Sequence, residues 1–125
     1  MQGLHLTADL HLCQCDAAWL VDAKLLGAHC LQAVNSAGLQ AVAHLFHNFP
    51  STGLGPPGLT ATVLLAESHL CVHTWPEQHA VTLDVYVCNF GGDHSAKAHA
   101  LMDLMLALFD AQRVHRHSLN RGLAT

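Results

Sequence analysis

Charge is scarce in this chain. Only 11% of the 125 residues are charged, and five Lys plus Arg stand against nine Asp plus Glu, a formal net charge of −4 with histidine neutral. The cations form no basic run, so nucleic acid finds no electrostatic footprint and is not expected as a partner. No apolar stretch approaches the roughly 20 residues that span a bilayer, and the amino terminus lacks the basic and apolar regions of a secretory signal. The expectation is therefore a cytoplasmic protein with no membrane association. Paired cysteine spacing is also missing: the five cysteines, at 13, 15, 30, 71 and 88, are odd in number and include no CxxC. That argues against a disulfide framework and against a zinc knuckle. Cys13 and Cys15 beside His11 are metal-ligand types, but core packing for Cys30 and solvation for most of the 12 histidines are the simpler reading. No metal site is expected.

What is present is apolar material, 51% of the chain, enough for one domain with a core and without sign of a second. Leu4, Leu6, Ala8 and Leu10 alternate with His5, Thr7, Asp9 and His11, the period of a half-buried strand over residues 3–12. Asp16 is placed to cap a helix carrying Leu20, Leu25, Leu26, Leu31 and Val34, which stops at Asn35-Ser36-Ala37-Gly38. A strand follows near 39–48. Pro50 to Gly58 is a loop by its density of Pro and Gly. Residues 59–66 read as a buried strand, the segment after Ser68 as another, and 80–88 as a third. In that third strand Thr82, Asp84, Tyr86 and Cys88 share a face. A helix from Ser95 to about Gln112 carries Leu101, Met102, Met105, Leu106 and Phe109 on one stripe, the methionines as core, and a short strand at 113–119 ends the chain. The fold expected is α+β: a layered α/β sandwich with a mainly antiparallel sheet and helices packed on it, in the order β-α-β-β-β-α-β.

The chemistry concentrates in Glu67-Ser68-His69-Leu70-Cys71-Val72-His73-Thr74-Trp75-Pro76-Glu77. A serine hydroxyl can attack the carbonyl of the preceding residue and convert amide to ester; β-elimination then leaves dehydroalanine, which hydrolyses to a pyruvoyl group. Each step needs a proton carrier, and an imidazole with a reference pKa of about 6.5 exchanges protons at low cost near neutrality. A lone Ser-His pair is more often a surface turn than a reaction centre. Here the string as a whole, with Cys88 farther along, resembles the self-processing site of bacterial and archaeal S-adenosylmethionine decarboxylase proenzymes.

That resemblance implies cleavage at Glu67-Ser68 into a beta chain, 1–67, and an alpha chain, 68–125, with Ser68 becoming the pyruvoyl cofactor that forms a Schiff base with substrate. By family position His73 and Thr60 act in processing and Cys88 is the proton donor, a role that suits a thiol still protonated at pH 7. Glu77 corresponds to the carboxylate on the ribose hydroxyls, and Phe49 to the aromatic stacked on adenine, near the sulfonium. The family further implies a homodimer of cleaved protomers and a product that serves as aminopropyl donor in spermidine biosynthesis. Read without the resemblance, Cys88 and Phe49 are core residues and Glu77 a solvated turn residue.

The sequence departs from the family in two places. The spacing from Phe49 to Ser68 is longer than usual, so Pro50 to Gly58 contains an insertion, and Cys88 is followed by Asn89-Phe90 where glycine is usual. Two alternatives stay open. One is a pyruvoyl-dependent ornithine or arginine decarboxylase, in which Asp9 or Asp84 would meet the distal amine or guanidinium. The other is a non-enzymatic metal-binding module using His69, Cys71 and His73 at i, i+2, i+4 of a strand.

Overall fold

Strand β1 (Gln2–Cys13) leads into two consecutive helices, α1 (Ala18–Val21) and α2 (Ala23–Ser36). Strands β2 (Ala41–Asn48), β3 (Leu59–Leu65), β4 (Ser68–Trp75) and β5 (Ala80–Cys88) follow, then α3 (Ser95–Phe109) and β6 (Ala111–Gly122). This computed structural model describes residues 1–122. Six strands make a single sheet in the order β2-β3-β4-β5-β1-β6, every neighbouring pair antiparallel.

The alternation read in the sequence becomes two faces. Leu4, Leu6, Ala8 and Leu10 of β1 are buried on the helix side, with Leu59, Ala61, Val63 and Leu65 of β3, Leu70 and Val72 of β4, and Leu83, Val85 and Val87 of β5. Leu26, Cys30 and Val34 of α2 and Leu101, Met102, Met105 and Phe109 of α3 close that core. Each buried Leu, Val, Met or Phe among them contributes about 1.5–3 kcal/mol by leaving water. The expected α+β sandwich is thus the fold found, and Met102 and Met105 are core residues.

Three details differ from the sequence reading. The strands expected near 39–48, at 59–66, after Ser68 and at 80–88 are all found, so four strands lie between the long helices where the expected order counted three, and Ala41–Asn48 forms the edge of the sheet. The helix expected from Asp16 is interrupted at Asp22, whose extended backbone and side chain, accepting from the Leu25 N–H at 3.1 Å, cap α2 afresh. Asn48 holds the break by donating to the Val21 carbonyl at 2.7 Å and accepting from the Ala23 N–H at 3.1 Å. Finally, α3 ends at Phe109 because Asp110 takes a left-handed φ of 47°, and β6 then runs longer than 113–119.

Helices cover only one face. The other presents His5, Thr62, His69, Cys71, His73, Asp84 and Tyr86, all partly exposed, with Leu45 and Leu119 open to solvent.

Candidate active site

Leu65 pairs with Ser68, so Ala66 and Glu67 form a two-residue turn and Ser68 is the first residue of β4. Glu67 has φ of 55°, a left-handed conformation that costs a side-chain-bearing residue roughly 1–2 kcal/mol. The peptide bond that would break therefore lies just after a strained residue. The Cys88 backbone N–H donates to Ser68 Oγ at 3.0 Å, which fixes the oxygen while leaving its own proton free to be removed.

Ser68 and Cys88 border a cavity of about 460 Å³ together with Glu67, Phe90, His94 and Lys97. That volume lies within the roughly 300–1,000 Å³ of small-molecule sites. A carbonyl group at residue 68 would open into this space beside Cys88, so the residues present fit a pyruvoyl group. His94 and Lys97 were missed by the sequence reading. They lie on the α3 side of the cavity, and only the fold carries that helix end to Ser68.

His73 is elsewhere. Its Nδ1 lies 2.9 Å from Thr60 Oγ1, its cross-strand partner in the β3–β4 register. The next pair of that face has the Thr62 hydroxyl donating to Cys71 Sγ at 3.8 Å. Residues 68 and 73 stand five apart on one strand, about 16 Å at roughly 3.3 Å per residue and on opposite faces because the spacing is odd. One chain thus joins Thr60 to His73, and Ser68 to Cys88, but does not join the two pairs.

Phe49 and Glu77 fall at the His73 end of β4, not at the Ser68 end. They line a separate cavity of about 270 Å³ with Pro56, Pro57 and Gly58, so the Pro50 to Gly58 insertion forms its wall. Phe49 is exposed, not core, and its N–H donates to the Gly58 carbonyl at 3.1 Å. Thr74, inside the same motif, is a structural residue. Its buried hydroxyl accepts from the Leu59 N–H at 3.0 Å and donates to the Leu20 carbonyl at 2.7 Å, tying α1 to the sheet.

His69, Cys71 and His73 share the open face as expected. However, among the described residues no group of at least 3 His, Cys, Asp or Glu side chains is arranged to hold a metal ion. His69 instead packs edge-on to His5, 6.2 Å between ring centroids. Burial first, and then the neighbouring His5, hold its pKa below the usual imidazole value, against the opposing pull of Asp84. Burial raises the Cys71 thiol and pushes Cys13 up to about 11 and Cys30 to about 12, which leaves the latter two as packing residues. His5 donates from Nε2 to Asp84 at 2.7 Å and accepts at Nδ1 from Arg121 at 3.2 Å.

Residues 4–122 match the family model described as S-adenosylmethionine decarboxylase. The S-adenosylmethionine decarboxylase proenzyme of Aquifex aeolicus is 37% identical over 123 residues, covering 97% of this chain and 82% of that protein. The corresponding proenzyme of Pyrococcus horikoshii is 33% identical over 109 residues, 87% of this chain and 72% of that one. The crystal structure of the Aquifex aeolicus adenosylmethionine decarboxylase superimposes with a TM-score of 0.83 at 32% identity, over 98% of this chain and 92% of that one.

Proposed function

The chain belongs to the S-adenosylmethionine decarboxylase family, and on that premise we propose that it cleaves itself at Glu67-Ser68 and then decarboxylates S-adenosylmethionine. The product is the aminopropyl donor of spermidine synthesis. The observation that carries this reading is Ser68 itself: it follows a left-handed turn residue, its Oγ is held by the Cys88 N–H at 3.0 Å, and it opens into a cavity. A pyruvoyl group at residue 68 supplies a carbonyl that takes the substrate amine and draws off the electrons left when carbon dioxide departs.

The chain's own residues do the rest. Cys88, which borders the same cavity as Ser68, returns a proton from its thiol to the substrate α-carbon. Thr60, hydrogen-bonded to His73, sets the imidazole ring for proton transfer during cleavage. Glu77 accepts hydrogen bonds from the ribose hydroxyls, and Phe49 stacks on adenine beside the sulfonium. The separation of Ser68 from His73 supports a homodimer in which each copy lends Thr60, His73, Phe49 and Glu77 to the Ser68 and Cys88 of the other. A two-fold axis makes both exchanges at once and yields two complete sites. Among the described residues no helix is long and apolar enough to cross a membrane; a cytoplasmic location goes with this reading.

The test measures carbon dioxide release from carboxyl-labelled S-adenosylmethionine, ornithine and arginine, alongside a denaturing gel. Wild-type protein is expected to run as chains 1–67 and 68–125 and to turn over S-adenosylmethionine, while Ser68→Ala stays whole and inert. Turnover of ornithine or arginine with none of S-adenosylmethionine would overturn the substrate assignment.

A further inference from the structure

The cavity beside Ser68 holds two groups that the reaction as described does not use. Lys97 has no ion-pair partner among the described residues, and its stem lies across Gly38, with Cε 3.5 Å from where a β-carbon there would stand. His94 turns a buried Nδ1 that has no hydrogen-bond partner among the described residues. Its backbone N–H is already given to Asn89 Oδ1 at 2.9 Å. Asp93, the acidic residue nearest in sequence, is engaged with the Ser95 N–H at 2.9 Å at the start of α3. Two residues lining one cavity, a cation without a counter-ion and a histidine with a shielded nitrogen that lacks a partner, call for an anion.

Self-cleavage makes one in this place. Ser68 Oγ bonds to the Glu67 carbonyl carbon as the C–N bond breaks, and the nitrogen keeps the electron pair and gains the hydroxyl proton. A base then removes the Ser68 α-proton. The electrons left behind form a Cα=Cβ bond as Cβ–Oγ breaks, and the leaving group is the Glu67 carboxylate, one of whose oxygens is the former Oγ. Water adds at residue 68 and ammonia departs, with no oxidant or reductant required. Glu67 then carries two negative charges where the intact chain had one, and it borders the cavity that Lys97 and His94 line.

Resting on the self-cleavage reading, we propose that Lys97 and His94 form a docking site for the carboxylate created at Glu67, Lys97 as counter-ion and His94 as hydrogen-bond partner. Freed on one side, Glu67 leaves its left-handed conformation and its new terminus swings to Lys97. The latch holds the end of the 1–67 chain beside the mature site and keeps its charge from the reacting centre. The substrate carboxylate is the poorer occupant. It loses its charge on the way to carbon dioxide, so a lysine paired with it stabilises the ground state more than the transition state and slows the reaction.

The experiment compares melting temperatures of Lys97→Gln and Lys97→Arg in two backgrounds: the cleaved wild type, and uncleaved Ser68→Ala, where the new carboxylate never forms. Lys97→Gln is expected to lower the Tm of the cleaved protein by about 3 °C more than that of the uncleaved one, with Lys97→Arg restoring most of the difference. Equal shifts in both backgrounds would overturn the latch, and equal shifts with a raised KM would assign Lys97 to the substrate carboxylate instead. A Lys97→Gln chain that no longer cleaves would also overturn it, placing Lys97 in the cleavage step. If wild type itself runs as one intact chain, the gel shows that the self-cleavage reading has failed before any melting curve is taken, and the latch falls with it.

Discussion

Ser68 and His73 belong to one reaction yet stand about 16 Å apart on opposite faces of β4, a gap no rotamer of either side chain closes. If a second copy supplies His73, the two residues can be inactivated on different chains and the site rebuilt by mixing them. Ser68→Ala keeps a sound Thr60–His73 pair but has nothing to cleave, and His73→Ala keeps a sound Ser68 but cannot process it. Each alone is expected to remain one intact chain. Co-expressed in equal amounts with random pairing, half of the dimers are mixed, and in each of these the His73→Ala chain meets a functional His73. About a quarter of all chains, or half of the His73→Ala chains, should then be cleaved. Distinct affinity tags and intact-mass measurement identify which chain has been cut. If co-expressed chains form mixed dimers by tag pull-down and none is cleaved, the shared site is refuted. Cleavage of His73→Ala by itself at the wild-type rate would refute the role of His73.

Cys88→Ala retains the backbone N–H that holds Ser68 Oγ, so mass spectrometry should show full cleavage while kcat falls roughly 100-fold or more for loss of a general acid; wild-type turnover in the cleaved variant would show the assignment wrong. A β-carbon at Gly27 would run into the Phe46 ring, so Gly27→Ala should lose about 1–3 kcal/mol in urea unfolding, with part recovered in the Gly27→Ala, Phe46→Leu double variant. His69 and His29 both have pKa values lowered by burial in the folded chain. Their contribution to stability is therefore present above the unfolded imidazole pKa of about 6.5 and is lost as pH falls through that value toward the folded ones. Melting curves taken from pH 7.5 down to 5.5 should show Tm declining, less steeply in His29→Gln; an unchanged slope would remove His29 from the account.

The class of fold and the location of the chemistry are legible in the residues alone. Alternation in β1 and β5 and the stripe of Leu101, Met102, Met105 and Phe109 mark which side of each element meets the core, because burial of apolar area depends on period and not on distant partners. The string from Glu67 to Glu77 with Cys88 identified the family, since Thr60, Ser68, His73 and Cys88 are specific together and weak apart. Edge strand β2 was legible near 39–48 even though its pattern in the fold is largely exposed.

How those residues meet rests on contacts between elements far apart in the chain. The break at Asp22 depends on Asn48, a side chain from another element, and no local propensity announces it. The register of β3 against β4 puts Thr60 opposite His73, and the neighbouring β5 brings the Cys88 N–H to Ser68. The turn into α3 carries His94 and Lys97 to the same cavity. A family motif gives residue types and spacing along the chain. Which of them touch within one molecule depends on strand pairing and on the two faces of a sheet, and here those divide the motif between two ends of the strand.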